Sequence, residues 1–485
     1  MSTTEGGGRA CEHSGPADEH DRPDQEENGG AGHTGRAEEH SARADGHGGP
    51  AGAAEAGVVE DDDRLWSVDE HAEDILRSLK PLDPLEIQIL DAQGCVLVED
   101  VTVATPLPPF DNSSMDGYAV RAADVEGASE EHPAVLTVVG DVAAGSGELP
   151  EVGPGQCVRI MTGAPVPPGA EAVVPVEWTD GGTGSGPVTT MPAYSGAPEG
   201  ATGEVRVFRA AESGAHIRLL GSDVRPGQLA LEKGTVLGPA QIGLLAAVGR
   251  SRVLVRPRPR VVVISTGSEL VQPGEEIGPG RIADSNSFTL TAAARDAGAE
   301  AYRVGAVPDD AARLTDTIED QLVRADLLVT SGGVSVGAYD VVKEVFEQLG
   351  SVRFRKLAMQ PGKPQGFGRI GPDGTPLCAL PGNPVSAYVS FELFVRPAIR
   401  RLMGLEPAHR PVVSAKLTDG IGRSPAGRRQ FLRGRYDERT GEISPVGRSG
   451  SHLVAALARA NALIVVPEDT TSVEAGAQVD VVLLT

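Results

Sequence analysis

Residues 256–270 read RPRPRVVVISTGSEL, and this stretch divides the chain. Two prolines within five residues cannot continue a helix or a central strand, so the sequence predicts a stiff junction at 256–260 and a new domain after it. The apolar run Val261–Ile264 is typical of a strand buried on both faces. The polar segment Ser265–Glu269 predicts a loop at the carboxyl end of that strand.

Strand and helix patterns alternate beyond this loop. They predict, in chain order, a helix at 287–297, a strand at 301–307, a helix at 311–323, a strand at 327–329 and a long helix at about 384–403. Such alternation predicts a parallel sheet covered on both faces, with ligands bound at the carboxyl ends of its strands. After Pro411 the apolar alternation continues without helices, which predicts a small β-domain of about 75 residues.

The half before the junction has shorter elements. Ser67 and Glu70 form a capping box, which predicts a helix that runs through Leu79. Strands are predicted at 134–139, 156–160 and 172–175, between clusters of proline and glycine. The segment Gly181–Gly203 is rich in Gly, Thr, Ser and Pro and predicts an exposed hairpin or loop insertion.

Residues 1–63 differ in composition from the rest of the chain. They hold 16 Asp and Glu and 4 Arg, and the resulting charge of −12 is nearly half of the net charge of −25. They also hold five of the ten histidines. A segment with so little apolar surface cannot offset its ordering entropy, so a disordered tail is predicted. Its histidines could collect metal loosely, but their spacing defines no chelate, and we assign the tail no chemistry.

Composition also excludes several classes of protein. A net charge of −25 repels nucleic acid and anionic membranes, so no nucleic-acid or membrane partner is expected. The four cysteines form no CxxC pair, which disfavours a disulfide framework or a zinc site. No apolar run approaches the roughly 20 residues that cross a bilayer, and the N-terminus lacks a signal-peptide pattern, so a cytoplasmic protein is expected.

The segment Thr330–Gly337, TSGGVSVG, follows a predicted buried strand and precedes a helical pattern that starts at Tyr339. Its glycines let backbone N–H groups approach an anion, its hydroxyls add donors, and the N-terminus of the next helix favours negative charge. We interpret the segment as a phosphate-binding loop. A plain strand-to-helix turn is the alternative.

Carboxylates follow the strands of the same domain. Glu269, Asp284, Asp309 and Asp340 lie in loops that a parallel sheet gathers at one edge. A few carboxylates beside phosphate oxygens and water are the ligands that octahedral Mg²⁺ requires, so a magnesium site is predicted. Taken singly, Asp284 or Asp309 is better explained as a helix cap or a first-turn acid.

Two proline-rich loops, Gln360–Pro364 and Leu380–Ala387, follow in the sequence. Lys356, Lys363 and Ser386 lie in or beside them and offer positive potential and hydrogen bonds to an oxyanion, although two structural turns would also explain the prolines. In the first half, residues 110–120 and 159–165 are dense in polar residues and glycine. Such stretches indicate a site or an interface, but the residues alone do not name its ligand.

Six motifs, taken in their order along the chain, resemble those of the MoeA and gephyrin E-domain family of molybdopterin molybdenumtransferases. The resemblance covers about residues 65–485, and its motifs are Asp111–Ala119, Arg159–Pro165, Ser265–Leu270, Ser331–Gly337, Pro361–Pro364 and Leu380–Ser386. It implies a multidomain α/β fold. The parts would be a split, mixed α+β N-terminal region with a β-rich insert, a doubly wound α/β domain similar to MogA and MoaB, and a small C-terminal β-barrel-like domain.

The expected domain limits follow from this resemblance and from the junctions. They are a tail at 1–63, N-terminal and linker domains at 64–257 with an insert at about 104–206, a molybdopterin-binding α/β domain at 258–404, and the β-domain at 405–485. The implied assembly is a homodimer whose site lies between the α/β domain of one subunit and the Asp116 and Thr162 loops of the other. The molybdopterin adenylyltransferase and molybdoenzyme chaperones are implied as further partners.

The resemblance implies a Mg²⁺-dependent reaction in which molybdate is inserted into adenylyl-molybdopterin and AMP is released, the last step of molybdenum cofactor synthesis. It implies catalytic roles for Asp116, Thr162, Glu269, Asp309 and Asp340, with magnesium bound by the last three of them. Substrate binding is implied for Ser265, Thr266, Ser331, Gly332, Gly333, Ser335, Gly337, Lys356, Lys363, Pro381, Pro384 and Ser386.

The chain departs from the family at two positions. Ser268 stands where the family often has an acid, and Gln360 stands where it often has a lysine. Both departures bear on how tightly metal and oxyanion are held. A tungstate-preferring relative and a non-catalytic cofactor carrier or scaffold stay as alternatives, whereas the motif at 111–120 and the C-terminal β-domain disfavour a pterin adenylyltransferase.

Overall fold

The structure, a computed structural model, describes residues 64–191, 203–333 and 339–484. Its first elements are strand β1 (Leu65–Trp66) and helix α1 (Val68–Ser78). The predicted capping box begins this helix, since Glu70 N donates to Ser67 Oγ at 3.1 Å and Ser67 N donates to the Glu70 carboxylate at 2.9 Å. Ile75 on the predicted apolar face is buried, which confirms the predicted helix.

Short strands and one helix make up the chain between α1 and the proline-rich junction. They are β2 (Leu85–Gln88), β3 (Val96–Leu97), β4 (Val101–Thr102), β5 (Asn112–Ser113), β6 (Gly117–Val120), β7 (Ala134–Val142), β8 (Gln156–Ile160), β9 (Ala172–Pro175), β10 (Gly203–Val207), β11 (Ile217–Arg218), β12 (Leu229–Leu231), α2 (Pro239–Ala247) and β13 (Arg252–Arg256), with single 3₁₀ turns at Ala122–Asp124 and Val176–Trp178. The three predicted strands are confirmed as β7, β8 and β9, and β7 extends beyond its prediction to Val142.

A five-stranded sheet in the order β10–β7–β8–β6–β9 forms the largest sheet of this region. Both faces of this sheet pack on apolar cores. Neighbouring residues of a strand point to opposite sides of the sheet, so successive apolar residues enter different cores. Val174 packs in one core and Val173 in the other. Strand β6 lies between β8 and β9, so the Asp116 loop that leads into it is held by a strand paired on both edges.

The α/β domain begins directly after the junction. Its elements are β14 (Arg260–Thr266), β15 (Leu270–Val271), β16 (Ile282–Ala283), α3 (Asn286–Asp296), β17 (Glu300–Val307), α4 (Ala311–Leu322), β18 (Leu327–Ser331), α5 (Tyr339–Leu349), β19 (Gly350–Leu357), β20 (Met359–Gln360), β21 (Pro364–Ile370), β22 (Thr375–Leu380), α6 (Pro384–Ser390) and α7 (Arg396–Met403). The strands predicted at 261–264, 301–307 and 327–329 and the two helices between them are confirmed, each to within a few residues.

The main sheet of this domain has the order β1–β19–β21–β22–β18–β14–β17. Strands β14, β17, β18 and β22 are parallel, as predicted. Strand β21, however, is antiparallel to both β19 and β22, so the predicted parallel sheet continues into an antiparallel edge that was not predicted. The connection Gly371–Gly374 explains the difference, because a parallel pair needs a crossover of roughly a dozen residues or more.

The strand order reverses direction beside β14. The chain goes from β14 to β17 on one side and then returns to β18 on the other side. In open α/β sheets such a reversal leaves a crevice at the carboxyl ends of the two strands involved. The fold therefore places a crevice between the ends of β14 and β18.

The long predicted helix at 384–403 is present but is not uniform. A π-helical turn, Phe391–Val395, joins α6 to α7. Pro397 lies in the first turn of α7 and has no N–H to donate to the preceding turn, which gives a physical reason for the wider turn. Glu392 in this turn is buried and pairs with Arg410 at 2.9 Å.

The C-terminal part forms a small closed barrel. Its elements are β23 (Val412–Leu417), β24 (Arg429–Asp437), β25 (Glu442–Pro445), α8 (Val454–Leu457), β26 (Ala462–Val466) and β27 (Gln478–Leu483). The strands follow the order β24–β25–β23–β27–β26, and pairing of β26 with β24 closes the ring. The predicted β-domain is confirmed, but the expectation that it lacks helices was wrong, since one turn such as α8 is too short to show a helical period.

Helix α1 packs between the α/β domain and the barrel. Its Asp69 accepts two hydrogen bonds from the Arg429 guanidinium of β24, at 2.7 and 2.8 Å. Ile75 of α1, Phe394 of the α/β domain and Phe431 of the barrel belong to one continuous apolar core. The segment after residue 63 is therefore built into the packing of both later domains.

Some predictions fall on residues that the structure does not describe, namely the tail at 1–63 and residues 192–202 of the predicted insertion.

Cys95, Cys157 and Cys378 are buried free thiols, and burial raises the pKa of Cys157 to about 12. Among the helices that the structure describes, none has the length and apolar character needed to span a membrane.

A buried histidine fixes α1 on the α/β domain. His71 is 1% exposed, and its ring packs edge-on against Phe394 with centroids 4.8 Å apart. Arg355 Nη1 lies 3.4 Å from His71 Nδ1 and 2.7 Å from the Asp74 carboxylate, and the guanidinium lies 3.7 Å above the Trp66 ring. Burial, and then the positive charge of Arg355, lowers the pKa of His71 to about 3.

The first prediction concerns acid stability. The unfolded histidine binds a proton below about pH 6.5 while the folded one stays neutral down to about pH 3. Stability that His71 provides is therefore complete above pH 6.5 and is lost as the pH falls. Between pH 7.5 and 5 the free energy of unfolding is expected to fall by about 2 kcal/mol more in the wild type than in His71→Gln. Denaturant unfolding followed by tryptophan fluorescence measures this difference. Parallel losses in the two proteins would contradict this.

Candidate functional site

A cavity of about 540 Å³ opens at the predicted crevice, between the carboxyl ends of β14 and β18. We call it the first cavity. The predicted site residues that line it are Ser265, Thr266, Glu269, Asp309, Ser331, Gly332, Gly333 and Pro384. The parallel sheet thus brings together side chains from loops that are far apart in sequence.

Two glycines let the loop after β18 approach the end of β14. Gly332 has a φ of +101°, and a Cβ atom there would lie 2.3 Å from Thr266 O. Gly333 has a φ of +68°, and a Cβ atom there would lie 2.1 Å from a methyl carbon of Val342. A side chain at Gly332 would force the two loops that line the cavity apart, one at Gly333 would displace Val342 of α5, and either would strain the backbone.

Buried hydroxyl groups line the same cavity. Ser265 and Thr266 are 1% and 5% exposed, and among the described residues neither hydroxyl has a hydrogen-bond partner. An unsatisfied buried hydroxyl costs about 1–3 kcal/mol, which the oxygen atoms of a bound ligand would offset. Ser331 differs, because its hydroxyl donates to Pro381 O at 3.2 Å.

Not every predicted carboxylate faces the cavity in the same role. Asp309 Oδ2 accepts from Ser268 N at 3.2 Å, and Ser268 Oγ accepts from Asp309 N at 3.1 Å, so these two residues hold their loops together. Asp284 is wholly buried and caps α3 by accepting from Ser287 N at 3.0 Å. Glu269 and Asp309 are exposed at the cavity, whereas Asp284 has the structural role that was its alternative interpretation.

A second cavity, of about 680 Å³, lies beside the first. The predicted residues that line it are Lys356, Lys363, Pro381 and Ser386, together with the departing residue Gln360. The loop that carries Lys363 is held by Gln365, whose Nε2 donates to Gly362 O and to Ser390 Oγ, both at 2.6 Å. Two lysines and a hydroxyl therefore face one space, as expected for an oxyanion site.

The two cavities share a wall. Gly382, Asn383 and His452 line both of them. Gly382 and Asn383 follow β22, and His452 comes from the barrel loop before α8. A ligand that occupies the first cavity is therefore separated from one in the second by a single short loop.

Asp116 and Thr162 are close to each other but line neither cavity. Thr162 N donates to Asp116 Oδ1 at 2.6 Å. The pairing of Gly117 with Ile160 in the five-stranded sheet aligns the two loops. Within one chain the structure thus brings these two predicted residues together and does not bring them to the other predicted site residues.

Three predicted residues lie beyond what the structure describes. Ser335 and Gly337 fall in the gap at 334–338. Asp340 belongs to the first turn of α5, but its side chain is not described. Among the described side chains, no three of the metal-binding types His, Cys, Asp and Glu cluster together. The magnesium site stays a prediction because its third carboxylate lies outside this set.

Some residues of the site gave no signal in the sequence. Ile282 lines the first cavity because β16 pairs with β15 across a glycine-containing loop, and no periodic pattern marks so short a pair. Ser449 lines the second cavity from the barrel, which only the docking of two domains could reveal. The contact between Asn286 Nδ2 and Gly382 O, 2.7 Å long, was also missed.

Comparison with known proteins bears directly on this arrangement. Three family models match in succession: the MoeA N-terminal region (domain I and II) at residues 66–249, a probable molybdopterin binding domain at 262–401 and the MoeA C-terminal region (domain IV) at 414–484. A molybdopterin molybdenumtransferase 2 of Mycobacterium tuberculosis is 45% identical over 423 residues, which are 86% of this chain and 99% of that protein. The chain belongs to the MoeA family.

Relatives in other organisms agree with this assignment. The Bacillus subtilis molybdopterin molybdenumtransferase is 35% identical over 401 residues, 82% of this chain and 89% of that protein. A crystal structure of the MoeA molybdopterin biosynthesis protein from Pyrococcus horikoshii covers 87% of this chain and all of that chain, with 33% identity and a TM-score of 0.64. The resemblance, the fold class and membership of a transferase family are thereby confirmed, whereas the domain limits and residue roles stay predictions.

The second prediction tests the close approach of the two loops. Gly332→Ala adds a methyl group 2.3 Å from Thr266 O, whereas Gly145→Ala, also at a positive φ of +87°, meets nothing within 4 Å. Gly145→Ala is expected to lower the free energy of unfolding by about 1–2 kcal/mol, the cost of a left-handed backbone for alanine. Gly332→Ala is expected to lower it distinctly more, because of the added steric clash. Denaturant unfolding measures both, and equal losses would show that the contact between Gly332 and Thr266 is absent.

Proposed function

We propose that this protein inserts molybdate into adenylyl-molybdopterin and releases AMP, which completes the molybdenum cofactor. The observation that carries the proposal is the pair of adjoining cavities, one lined by glycines, hydroxyls and carboxylates and the other by lysines. An adenylylated pterin offers a phosphate anhydride to the first cavity, and molybdate is a small dianion for the second. Membership of the MoeA family supports the same reaction.

In the proposal, the first cavity binds the phosphate groups. Ser265 and Thr266 have hydroxyls without protein partners, and these would donate to phosphate oxygens. The glycines at 332 and 333 leave backbone space beside them. Ser335 and Gly337 stay predicted phosphate-binding residues, and the N-terminal end of α5, a helix of eleven residues, favours negative charge.

The second cavity would bind molybdate. The protein as a whole carries a net charge of −25, so an oxyanion must be attracted by local donors. Lys356 and Lys363 supply positive charge, and the Ser386 hydroxyl is buried at the same cavity. Gln360 supplies a neutral amide instead of a further cation, which would weaken binding of a dianion and leave more of its affinity to hydrogen bonding.

The residues of the first cavity suit a magnesium ion. Glu269 and Asp309 are exposed there, and Asp309 has one carboxylate oxygen outside its contact with Ser268. With Asp340 they would bind Mg²⁺ together with phosphate oxygens and water, as this ion prefers. Bound Mg²⁺ would neutralise charge on the phosphate oxygens during cleavage of the anhydride.

A homodimer would supply the rest of the site. Asp116 and Thr162 are joined by a hydrogen bond yet line neither cavity of their own chain. This is consistent with a place in the site of a second subunit. The proposed cellular setting is the cytoplasm, with the molybdopterin adenylyltransferase as the source of substrate and molybdoenzyme chaperones as recipients of the product.

The third prediction tests the proposed reaction with matched aspartates. Asp309→Asn removes a carboxylate from the first cavity, whereas Asp310→Asn keeps a good cap for α4, where Asp310 accepts from Arg313 N at 2.9 Å. Asp309→Asn and Asp340→Asn are expected to slow Mg²⁺-dependent AMP release by about 100-fold, a typical loss for a catalytic group, with Asp310→Asn unchanged. If the wild type binds the pterin and never releases AMP, a carrier or scaffold replaces the enzyme.

The fourth prediction tests the shared site. As pure dimers, Asp116→Asn and Asp340→Asn are each expected to keep about 1% of the wild-type rate. Random exchange of subunits makes half of the dimers mixed, and each mixed dimer has one site with both aspartates, so about a quarter of the wild-type rate returns. No recovery in mixtures that demonstrably contain mixed dimers would mean that Asp116 serves its own chain.

A further inference from the structure

Asn286, the first residue of α3, joins the loops that separate the two cavities. Its Nδ2 donates to Gly382 O at 2.7 Å and to Ser331 Oγ at 2.9 Å. The Ser331 hydroxyl donates in turn to Pro381 O at 3.2 Å. One side-chain amide therefore connects the loops that follow β16, β18 and β22.

The backbone of Asn286 is itself held firmly. On its N-terminal side, Asp284 is wholly buried and accepts from Ser287 N at 3.0 Å and from Ser287 Oγ at 2.5 Å. The Arg303 guanidinium lies 4.0 Å from the Asp284 carboxylate and compensates its buried charge. The amide of Asn286 thus extends from a rigid helix start, so it can fix the loop that it contacts.

Gly382, the main partner of this amide, belongs to the wall that both cavities share. It also packs closely on the loop after β18, because a Cβ atom at 382 would lie 3.4 Å from Gly332 Cα. A displacement of Gly382 would therefore change the first cavity, the second cavity and the distance between their ligands at the same time.

We propose that Asn286 is a positioning residue that aligns the two substrates by holding Gly382. The inference rests on the proposed function, since it concerns how the pterin substrate in the first cavity meets the oxyanion in the second. A misplacement of about 1 Å between reacting groups can slow a reaction by about 100-fold. Loss of the contact therefore lowers the rate of the chemical step while each substrate still binds.

Asn286 itself lines the first cavity, so an aspartate at this position would add a negative charge beside the proposed phosphate site. The neutral variant Asn286→Leu, whose side chain branches at the same carbon, has nearly the shape of the amide but no N–H to donate to the Gly382 carbonyl. Asn461→Leu is the matched control. Asn461 Nδ2 donates to Tyr436 O at 2.9 Å within the barrel, and Asn461 lines neither cavity.

The experiment compares both variants with the wild type in three measurements: kcat and the KM of each substrate, the unfolding midpoint, and a crystal structure of Asn286→Leu. The expected result for Asn286→Leu is a kcat lower by about 10- to 100-fold, KM values within about threefold, and a displaced Gly382. Asn461→Leu is expected to lower the unfolding midpoint to a comparable extent and to leave kcat unchanged.

Three outcomes would overturn the proposal: a kcat of Asn286→Leu equal to that of the control, a raised KM with normal kcat, which would indicate direct substrate binding, or an unmoved Gly382. A wild type that never turns over would reject the proposed function instead. In that case the crystal structure alone decides the positioning role, because a displaced Gly382 supports it and an unmoved one refutes it.

Discussion

The site depends on how closely the backbone after β18 can approach the carbonyl group at the end of β14. At Gly332 the two are so close that a single methyl carbon would lie 2.3 Å from Thr266 O. This approach narrows the crevice that the reversal of strand order creates, and it buries the hydroxyls of Ser265 and Thr266 in the wall. Gly382 then packs on Gly332, so the position of the shared wall follows from the same contact.

Local chemistry, rather than overall charge, makes this edge suitable for anions. The chain carries a net charge of −25, yet the second cavity gathers lysines, and the first gathers hydroxyls without protein partners. Part of the acidic content is neutralised in structural contacts, such as Asp69 with Arg429 and Glu392 with Arg410. Glu269 and Asp309 stay exposed in the first cavity, where the proposed function gives them a role in binding Mg²⁺.

Much of the fold followed from local rules, and the failures have physical causes. The capping box at Ser67 and the strand at 156–160 depend on near neighbours, so the sequence predicted them correctly. The antiparallel direction of β21 was not predicted, because it depends on the lengths of the connections to β19 and β22 and not on the composition of the strand. Asp284 was weighed both as a cap and as a ligand, and only its complete burial decided between them. The link between Asn286 and Gly382 joins positions far apart in sequence, which no local pattern can reveal.

In the proposed function, the two adjoining cavities bind the two substrates of one reaction on either side of Gly382. A crystal structure of the protein with AMP, Mg²⁺ and molybdate tests it most directly, because molybdenum is located by its anomalous scattering. We expect the phosphate of AMP beside Ser265 and Thr266 and molybdate between Lys356 and Lys363. Molybdate bound away from the lysines, or AMP bound outside the first cavity, would contradict it.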